Sequence, residues 1–377
     1  MMKSNWKLNF LLFGSVVSAC LIGGELIFRW IRPDSLRIQN MPTIMIPDDT
    51  LGWRGIPDTV KPHSVGKATI QIRTNDLGFR DKPMPTADDR KTNKRILFLG
   101  DSFCWGFGVE QTERISEQFT ALDTLWEAYN LGIFGYSTDQ ELLTLKMYGS
   151  LIQPDEVALL FCLNDLLYNN SPVGHRMPKP LYRLNSDGTL QLDNVPVPPA
   201  PKPNFFAVFL RKHSALYLAG EYAWNLVRDR IAWKAQASRG SGATSAAASD
   251  KRNTALAEMN LDFQRDITPY LLREMRDVCS RLGAHLTVLI VPSSSEWTKE
   301  RADSPREAEQ VAAWCRQEKI TVLDLYPEFH QYFLNTGQNL YVADFENQMH
   351  WNGNGHRLAA NILYDYLRSR EHYIMQD

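Results

Sequence analysis

From residue 95 onward, short apolar runs alternate with longer amphipathic stretches. Residues 95–99, 126–130, 156–162, 285–291 and 321–325 form runs of the length and composition of strands buried on both faces. Apolar positions at helical spacing fill the intervals near 111–122, 138–150, 257–282, 305–318 and 354–370. Strands separated by helices predict a parallel sheet with right-handed crossovers. Pro154-Asp155 before the third run and Gly283 before the fourth punctuate the pattern.

Two other stretches break that rhythm. Residues 34–90 are rich in Pro, Asp and Gly; Ala68-Thr69-Ile70-Gln71-Ile72-Arg73 alternates like a half-exposed strand, and Thr74-Asn75-Asp76-Leu77-Gly78 supplies turn chemistry. This predicts a small β-rich preface. Residues 166–256 carry many prolines between Pro180 and Pro203, a hairpin signal at Asn185-Ser186-Asp187-Gly188 and an amphipathic helix near 212–235. A Ser/Gly/Ala-rich linker follows at 238–249. The whole segment reads as an insertion over the carboxyl edge of the sheet, either a lid or substrate wall or a surface ornament. The chain thus divides into an N-terminal segment (1–33), the preface (34–92) and an α/β domain (93–377) interrupted by the insertion.

The N-terminal segment is apolar from Leu8 to Phe28 apart from Asn9, the small residues and Glu25. As a helix it would be roughly 30 Å long at about 1.5 Å per residue, close to the thickness of a bilayer core. Lys3 and Lys7 precede it and Arg29, Arg32 and Arg37 follow, so flanking charge does not fix an orientation. Glu25 is placed to pair with Arg29 at i,i+4 or to snorkel to the interface. Three readings stand: an uncleaved membrane anchor; a cleaved signal, in which Val17-Ser18-Ala19-Cys20 resembles a lipobox; or a buried helix. The first two place the remainder outside the cytoplasm.

Composition narrows the class. With 377 residues, 44% hydrophobic and 22% charged, a sizeable core is within reach. A net charge of -2 gives no reason to expect a nucleic-acid partner. Five scattered cysteines, an odd number, make neither a disulfide framework nor a metal-ligand spacing. No Gly-x-Gly-x-x-Gly follows the first strand and no Walker A sequence occurs, so nothing calls for a nucleotide or another cofactor. The pair His350 and His356, with no further ligand cluster, is a poor zinc signal. Asn352 reads as a helix N-cap with His356 in the first turns of the last helix.

The chemistry-bearing residues sit at strand ends. The first run ends in Gly100-Asp101-Ser102, where open α/β sheets place their ligands. A serine hydroxyl is a poor nucleophile until a base takes its proton, and His350 near the far end of the chain is the candidate base. Cys104 stands where a Gly-x-Ser-x-Gly elbow would have its second glycine, which argues against an α/β-hydrolase. Asp101 is placed to cap the turn that follows it.

Gly100-Asp101-Ser102, Asn130-Leu131-Gly132-Ile133-Phe134-Gly135, Leu163-Asn164-Asp165 and His350-Trp351-Asn352 follow one another in an order that resembles the SGNH, or GDSL-type, hydrolase superfamily, over about residues 93–370. The N-terminal segment, Leu51-Gly52-Trp53 and Asn75-Asp76-Leu77-Gly78-Phe79-Arg80 look like a membrane-anchored bacterial branch of it. The resemblance implies a three-layer α/β/α sandwich with a five-stranded flavodoxin-like sheet. It implies Ser102 as nucleophile, His350 as base, and the backbone N–H of Ser102, the backbone N–H of Gly135 and the Asn164 amide as oxyanion donors. The family usually has Asp three residues before the histidine; here that residue is Asn347. Asp344 or Glu346 then orients His350, or a backbone carbonyl or the Asn347 amide oxygen does so. An Asp→Asn change at an orienting position costs about 10⁴ in turnover in serine proteases. Cys162 replaces a glycine often found before the third block's asparagine. Trp105, Phe107 and Phe134 read either as pocket lining or as plain packing.

The leading expectation is a membrane-anchored, extracytoplasmic serine esterase. It would release acetyl or other short acyl groups from a carbohydrate or related envelope polymer, or act on small esters. The alternatives are an O-acyltransferase of cell-surface polysaccharide, alongside other envelope assembly proteins, and a catalytically silent scaffold.

Overall fold

The computed structural model describes residues 6–31, 44–65, 68–86, 89, 93–175, 177–200, 205–220, 224, 266–292, 305–342 and 350–374. The linker expected at 238–249 and the first part of the helix expected at 257–282 lie outside them.

Five strands make the main sheet: β1 (Lys94–Gly100), β2 (Trp126–Asn130), β3 (Glu156–Phe161), β4 (His285–Ile290) and β5 (Thr321–Asp324). All pair in parallel, in the order β5-β4-β3-β1-β2. This is the 2-1-3-4-5 winding of flavodoxin-like sheets. From β1 the chain steps outward to β2, then crosses back over β1 to β3. The neighbouring carboxyl ends of β1 and β3 are therefore the switch point, where such sheets hold ligands.

Side-chain alternation builds a helical layer on each face. Ile96 and Phe98 of β1 pack with Ile115 and Phe119 of the helix Ile115–Leu122, Phe329 of Tyr326–Thr336, and Ala359 and Leu363 of Gly353–Ile374. Leu97 and Leu99 face the other way, onto Leu142 and Leu145 of Thr138–Ile152, Leu271 and Met275 of Thr268–Leu282, and Val311 of Pro305–Gln317. The result is a three-layer α/β/α sandwich. All six β3 residues are buried, which is why this strand reads as an unbroken apolar run after Glu156. Glu156 is paired there: Thr287 Oγ1 and Arg370 Nη2 (2.6 Å) donate to its carboxylate.

The helix Tyr326–Thr336 has no counterpart in the sequence pattern. It starts two residues after β5, with Pro327 in its first turn, where a missing N–H costs nothing. The short helices Ser102–Trp105 and Asp165–Tyr168 likewise begin within a few residues of strand ends.

The preface forms two antiparallel hairpins, Met45–Asp48 with Gly52–Gly55 and Val60–Val65 with Ala68–Arg73. Only the last of these four strands was expected. The preface is tied to the sandwich by charge as well as by packing. The buried Arg80 guanidinium donates to the carbonyls of Gly106 (2.7 Å) and Val109 (2.8 Å), just past the helix that carries Ser102. Buried Arg114 donates to the Arg80 carbonyl and the Glu117 carboxylate. Within the insertion, Leu181–Leu184 pairs with Leu190–Asp193 around the expected Asn185–Gly188 turn.

The chain separates into two compact units: residues 1–40 with 201–245, and residues 41–200 with 246–377. The first unit contains the helix Trp6–Ile31, the helix Phe205–His213 and a helical stretch at 215–220. Among the described residues, Phe10–Trp30 is one stretch long and apolar enough to cross a membrane, with a mean hydropathy of 2.0. Arg29 Nε donates to Glu25 across 2.7 Å, the i,i+4 pair expected from the sequence.

Candidate active site

The backbone at the end of β1 turns sharply at Gly100, whose φ of +153° and whose neighbours leave no room for a side chain: a Cβ would lie 2.8 Å from Cys104 Cβ and 3.0 Å from Leu160 Cβ. Asp101 then caps the short helix Ser102–Trp105, its Oδ1 accepting the Phe103 N–H at 2.9 Å. Asp101 is buried, and desolvation pushes its carboxyl up to about 6 against the pull of the Phe103 N–H and the Cys162 thiol. Its role is to hold the turn, as its position in the sequence suggested.

Ser102 opens that helix with its hydroxyl toward His350. The Oγ to Nε2 distance is 2.7 Å, across 248 residues of chain. The histidine is fixed by its backbone: the Val342 N–H donates to the His350 carbonyl (2.9 Å), the Asn352 N–H donates to the Leu340 carbonyl (2.9 Å), and Tyr341 bridges Trp351. Asn352 caps the last helix, its Oδ1 accepting the Asn354 and Gly355 N–H groups. The imidazole lies between the rings of Phe103 and Phe107, at centroid distances of 5.1 and 4.5 Å. Burial, aided by nearby His175, lowers its pKa to about 4. The ring is therefore a free base at neutral pH, ready to accept a proton.

Three hydrogen-bond donors lie just past the ends of adjacent strands. The Ser102 N–H follows β1, Gly135 follows β2, and Asn164 follows β3. Neighbouring strands lie about 4.8 Å apart, so topology alone brings these positions to one rim. Among the described residues, no hydrogen bond engages the N–H of Ser102, the N–H of Gly135 or the Asn164 side-chain amide. Gly135 sits at φ +78°, and a Cβ there would press on His175 Cδ2 at 2.9 Å. A side chain would meet both backbone strain and a clash.

Asn130 organises this rim. Its Nδ2 donates to the Cys104 carbonyl (2.8 Å) and Ser116 Oγ (2.9 Å), while its Oδ1 accepts the Gly132 N–H (3.0 Å). It thus ties the serine helix to the loop that presents Gly135. Asn130 belongs to the second sequence block but had been given no role of its own.

Further residues at the site had no sequence signal. His175, at φ +48°, sits tilted against the rings of Tyr168 (4.8 Å) and Phe134 (6.1 Å) and lies against Gly135. Beneath the rim, Asp139, Glu141 and Asp165 are buried with Asp101, and all three are pushed upward, chiefly by desolvation. The fully buried Lys179 donates to Asp139 and so fixes the chain four residues beyond His175.

The remaining candidates fall as follows. Trp105 is core, packed with Ile44, Ile70 and Ile72, whereas Phe107 joins that cluster and also touches His350. His356 is buried in the first turn of the last helix, and burial lowers its pKa to about 3, with Arg114 and Arg80 adding repulsion. Asp344, Glu346 and Asn347 lie outside the described residues.

No family model and no curated protein matches the chain. Several solved structures resemble it. TesA shares 13% identity at a TM-score of 0.37, over 72% of this chain and 96% of that one. The psychrotrophic esterase EstA from Pseudoalteromonas sp. shares 11% at 0.38, over 74% and 100%. The acetyl xylan esterase AlAXEase shares 11% at 0.35, over 72% and 98%.

Proposed function

We propose that this chain is an SGNH-type serine esterase that removes acetyl or other short acyl groups from a carbohydrate or related envelope polymer. Its N-terminal helix would hold it in the membrane with the sandwich on the extracytoplasmic side. One observation carries the reading: the 2.7 Å contact between Ser102 Oγ and His350 Nε2 at the switch point of the sheet.

In this mechanism Ser102 Oγ attacks the ester carbonyl carbon and its proton passes to His350 Nε2. Negative charge gathers on the carbonyl oxygen. The Ser102 and Gly135 N–H groups and the Asn164 amide stabilise it, and losing one such donor costs about 3 kcal/mol. Collapse breaks the ester C–O bond, and the departing alcohol takes the proton from His350. Water, deprotonated by the same ring, then releases the acid and restores Ser102. Burial makes His350 a weak base in the free protein, but the imidazolium forms only as the oxyanion does, so each charge supports the other.

An organophosphonate tests this directly. Ser102 should label covalently in the folded wild-type chain, and neither Ser102→Ala nor His350→Ala should label or hydrolyse an aryl acetate above about 10⁻³ of the wild-type rate. Folded wild-type protein that leaves Ser102 unlabelled would overturn the proposal.

A further inference from the structure

The insertion carries a helix pair that belongs to the same compact unit as the N-terminal helix. The helix Phe205–His213 ends at Ser214 and a second helical stretch runs over 215–220. At this junction the Glu25 carboxylate accepts three hydrogen bonds: from Ser214 Oγ at 2.8 Å, the Ala215 N–H at 3.0 Å and the Leu216 N–H at 3.0 Å. Arg29, one helical turn further on, donates to Glu25 and to the His213 carbonyl at 2.8 Å. The ion pair therefore serves both ends of the junction, closing the last turn of one helix and the first turn of the next. Gly24 lies beside the junction: a Cβ there would meet Leu216 Cδ1 at 3.4 Å, an ordinary van der Waals contact.

A carboxylate inside an apolar span is costly unless a partner is supplied. Here the partners come from the insertion. The helix so docked is itself apolar along its first six residues, Phe205-Phe206-Ala207-Val208-Phe209-Leu210, and ends in Arg211-Lys212-His213 without an acidic residue. Phe206 and Phe209, three residues apart on one face, are 64% and 49% exposed. Single exposed apolar residues need no explanation; two phenylalanines on a helix fastened to a candidate membrane span do.

We propose that residues 205–220 are a second membrane element, which lies in the bilayer interface beside the N-terminal helix. Phe206 and Phe209 enter the acyl region and the basic end faces anionic headgroups. The inference rests on the membrane-anchor reading of residues 10–30. It is carried by the continuity of the docked pair with that span and by the apolar-then-basic composition that suits an anionic lipid surface. The Glu25–Arg29 pair is the latch.

The test uses the full-length chain on a Cys20→Ser background, reconstituted in nanodiscs of phosphatidylethanolamine and phosphatidylglycerol. Nitroxide labels go at Val16→Cys, Phe206→Cys, Phe209→Cys and, as an aqueous control, Leu192→Cys. Collision with oxygen against a nickel chelate reads depth. Labels at 206 and 209 should favour oxygen severalfold, like Val16 and unlike Leu192. Water-like values at 206 and 209 with Val16 in lipid would overturn this inference and leave the anchor intact. Water-like values at Val16 as well would overturn the anchor reading itself. Low accessibility to both reagents at 206 and 209 would mean that protein covers the face, which also overturns the proposal. In Glu25→Ala/Arg29→Ala, the label at 209 should lose its depth while hydrolysis of a soluble ester stays unchanged; a depth that persists would overturn the latch.

Discussion

The two helical layers that meet at Ser102 are built from different materials. The layer of the last helix supplies His350 in an aromatic setting, with Phe103, Phe107 and Trp351 around it and His356 buried nearby. The layer of Thr138–Ile152 supplies a buried polar stratum, with Asp139, Glu141 and Asp165 against Asp101 and the Lys179 ammonium. On the first side burial lowers the pKa of imidazoles; on the second it raises that of carboxyls. Both shifts favour the neutral form, by opposite proton movements. In the proposed mechanism the aromatic side presents the group that accepts a proton, while the polar side is closed by the Asp139–Lys179 pair.

This contrast yields an ordered set of expectations. Asn164→Ala touches neither layer but removes a donor at their junction; kcat for an aryl acetate should drop about 10²- to 10³-fold with little change in melting temperature. An unchanged kcat would remove Asn164 from the oxyanion site. Lys179→Met strikes the polar layer. It leaves Asp139 buried without its cation and should cost about 3 kcal/mol in denaturant unfolding near pH 8. The loss should shrink toward pH 5 as Asp139 takes up a proton; a loss independent of pH would mean that the ammonium matters only for packing.

The pH–rate profile probes the aromatic layer. In the proposed mechanism His350 acts as a neutral ring, and its pKa is lowered to about 4, so kcat/KM should hold down to pH 5 and fall near pH 4. A histidine of ordinary pKa would already have lost about 30-fold at pH 5. The smallest effect concerns stability. His350 and His356 bind fewer protons folded than unfolded between about 3 and 6.5, so their contribution falls as pH drops through that window. Asp101 and Asp81, both raised to about 6, bind more protons folded than unfolded, and their contribution grows as pH falls from 6 toward 3.8. His356→Gln removes one term of the first kind, so the variant should lose less stability than wild type between pH 7 and pH 4, measured by urea midpoints. An equal or greater loss would contradict the neutral state assigned to His356.

Much of this architecture was legible because burial on both faces forces continuous apolar runs. All five strands of the sheet lie within about a residue of the runs that predicted them. Ser102 and His350, singled out as candidates by residue type and by the order of the sequence blocks, lie 2.7 Å apart. What escaped was of three kinds. The helix Tyr326–Thr336 follows its strand so closely that only Pro327 marks the boundary. The hairpin strand Val60–Val65 contains Pro62 and His63, which mask its alternation. The buried pair Asp139–Lys179 and the Arg80 clamp join residues far apart in sequence, and polar pairing leaves no periodicity to read. The side chains expected to orient His350, namely Asp344, Glu346 or Asn347, lie outside the described residues.

Arg80 gives the preface a standing beyond ornament. Its guanidinium reaches out of the segment before the first sandwich strand and grips carbonyls on the stretch leaving the helix that carries Ser102. A fragment trimmed to begin at β1 would keep every residue of the four sequence blocks and still lose the Arg80 bonds to the Gly106 and Val109 carbonyls. A fragment meant to keep that brace therefore starts upstream of the sandwich, before Arg80.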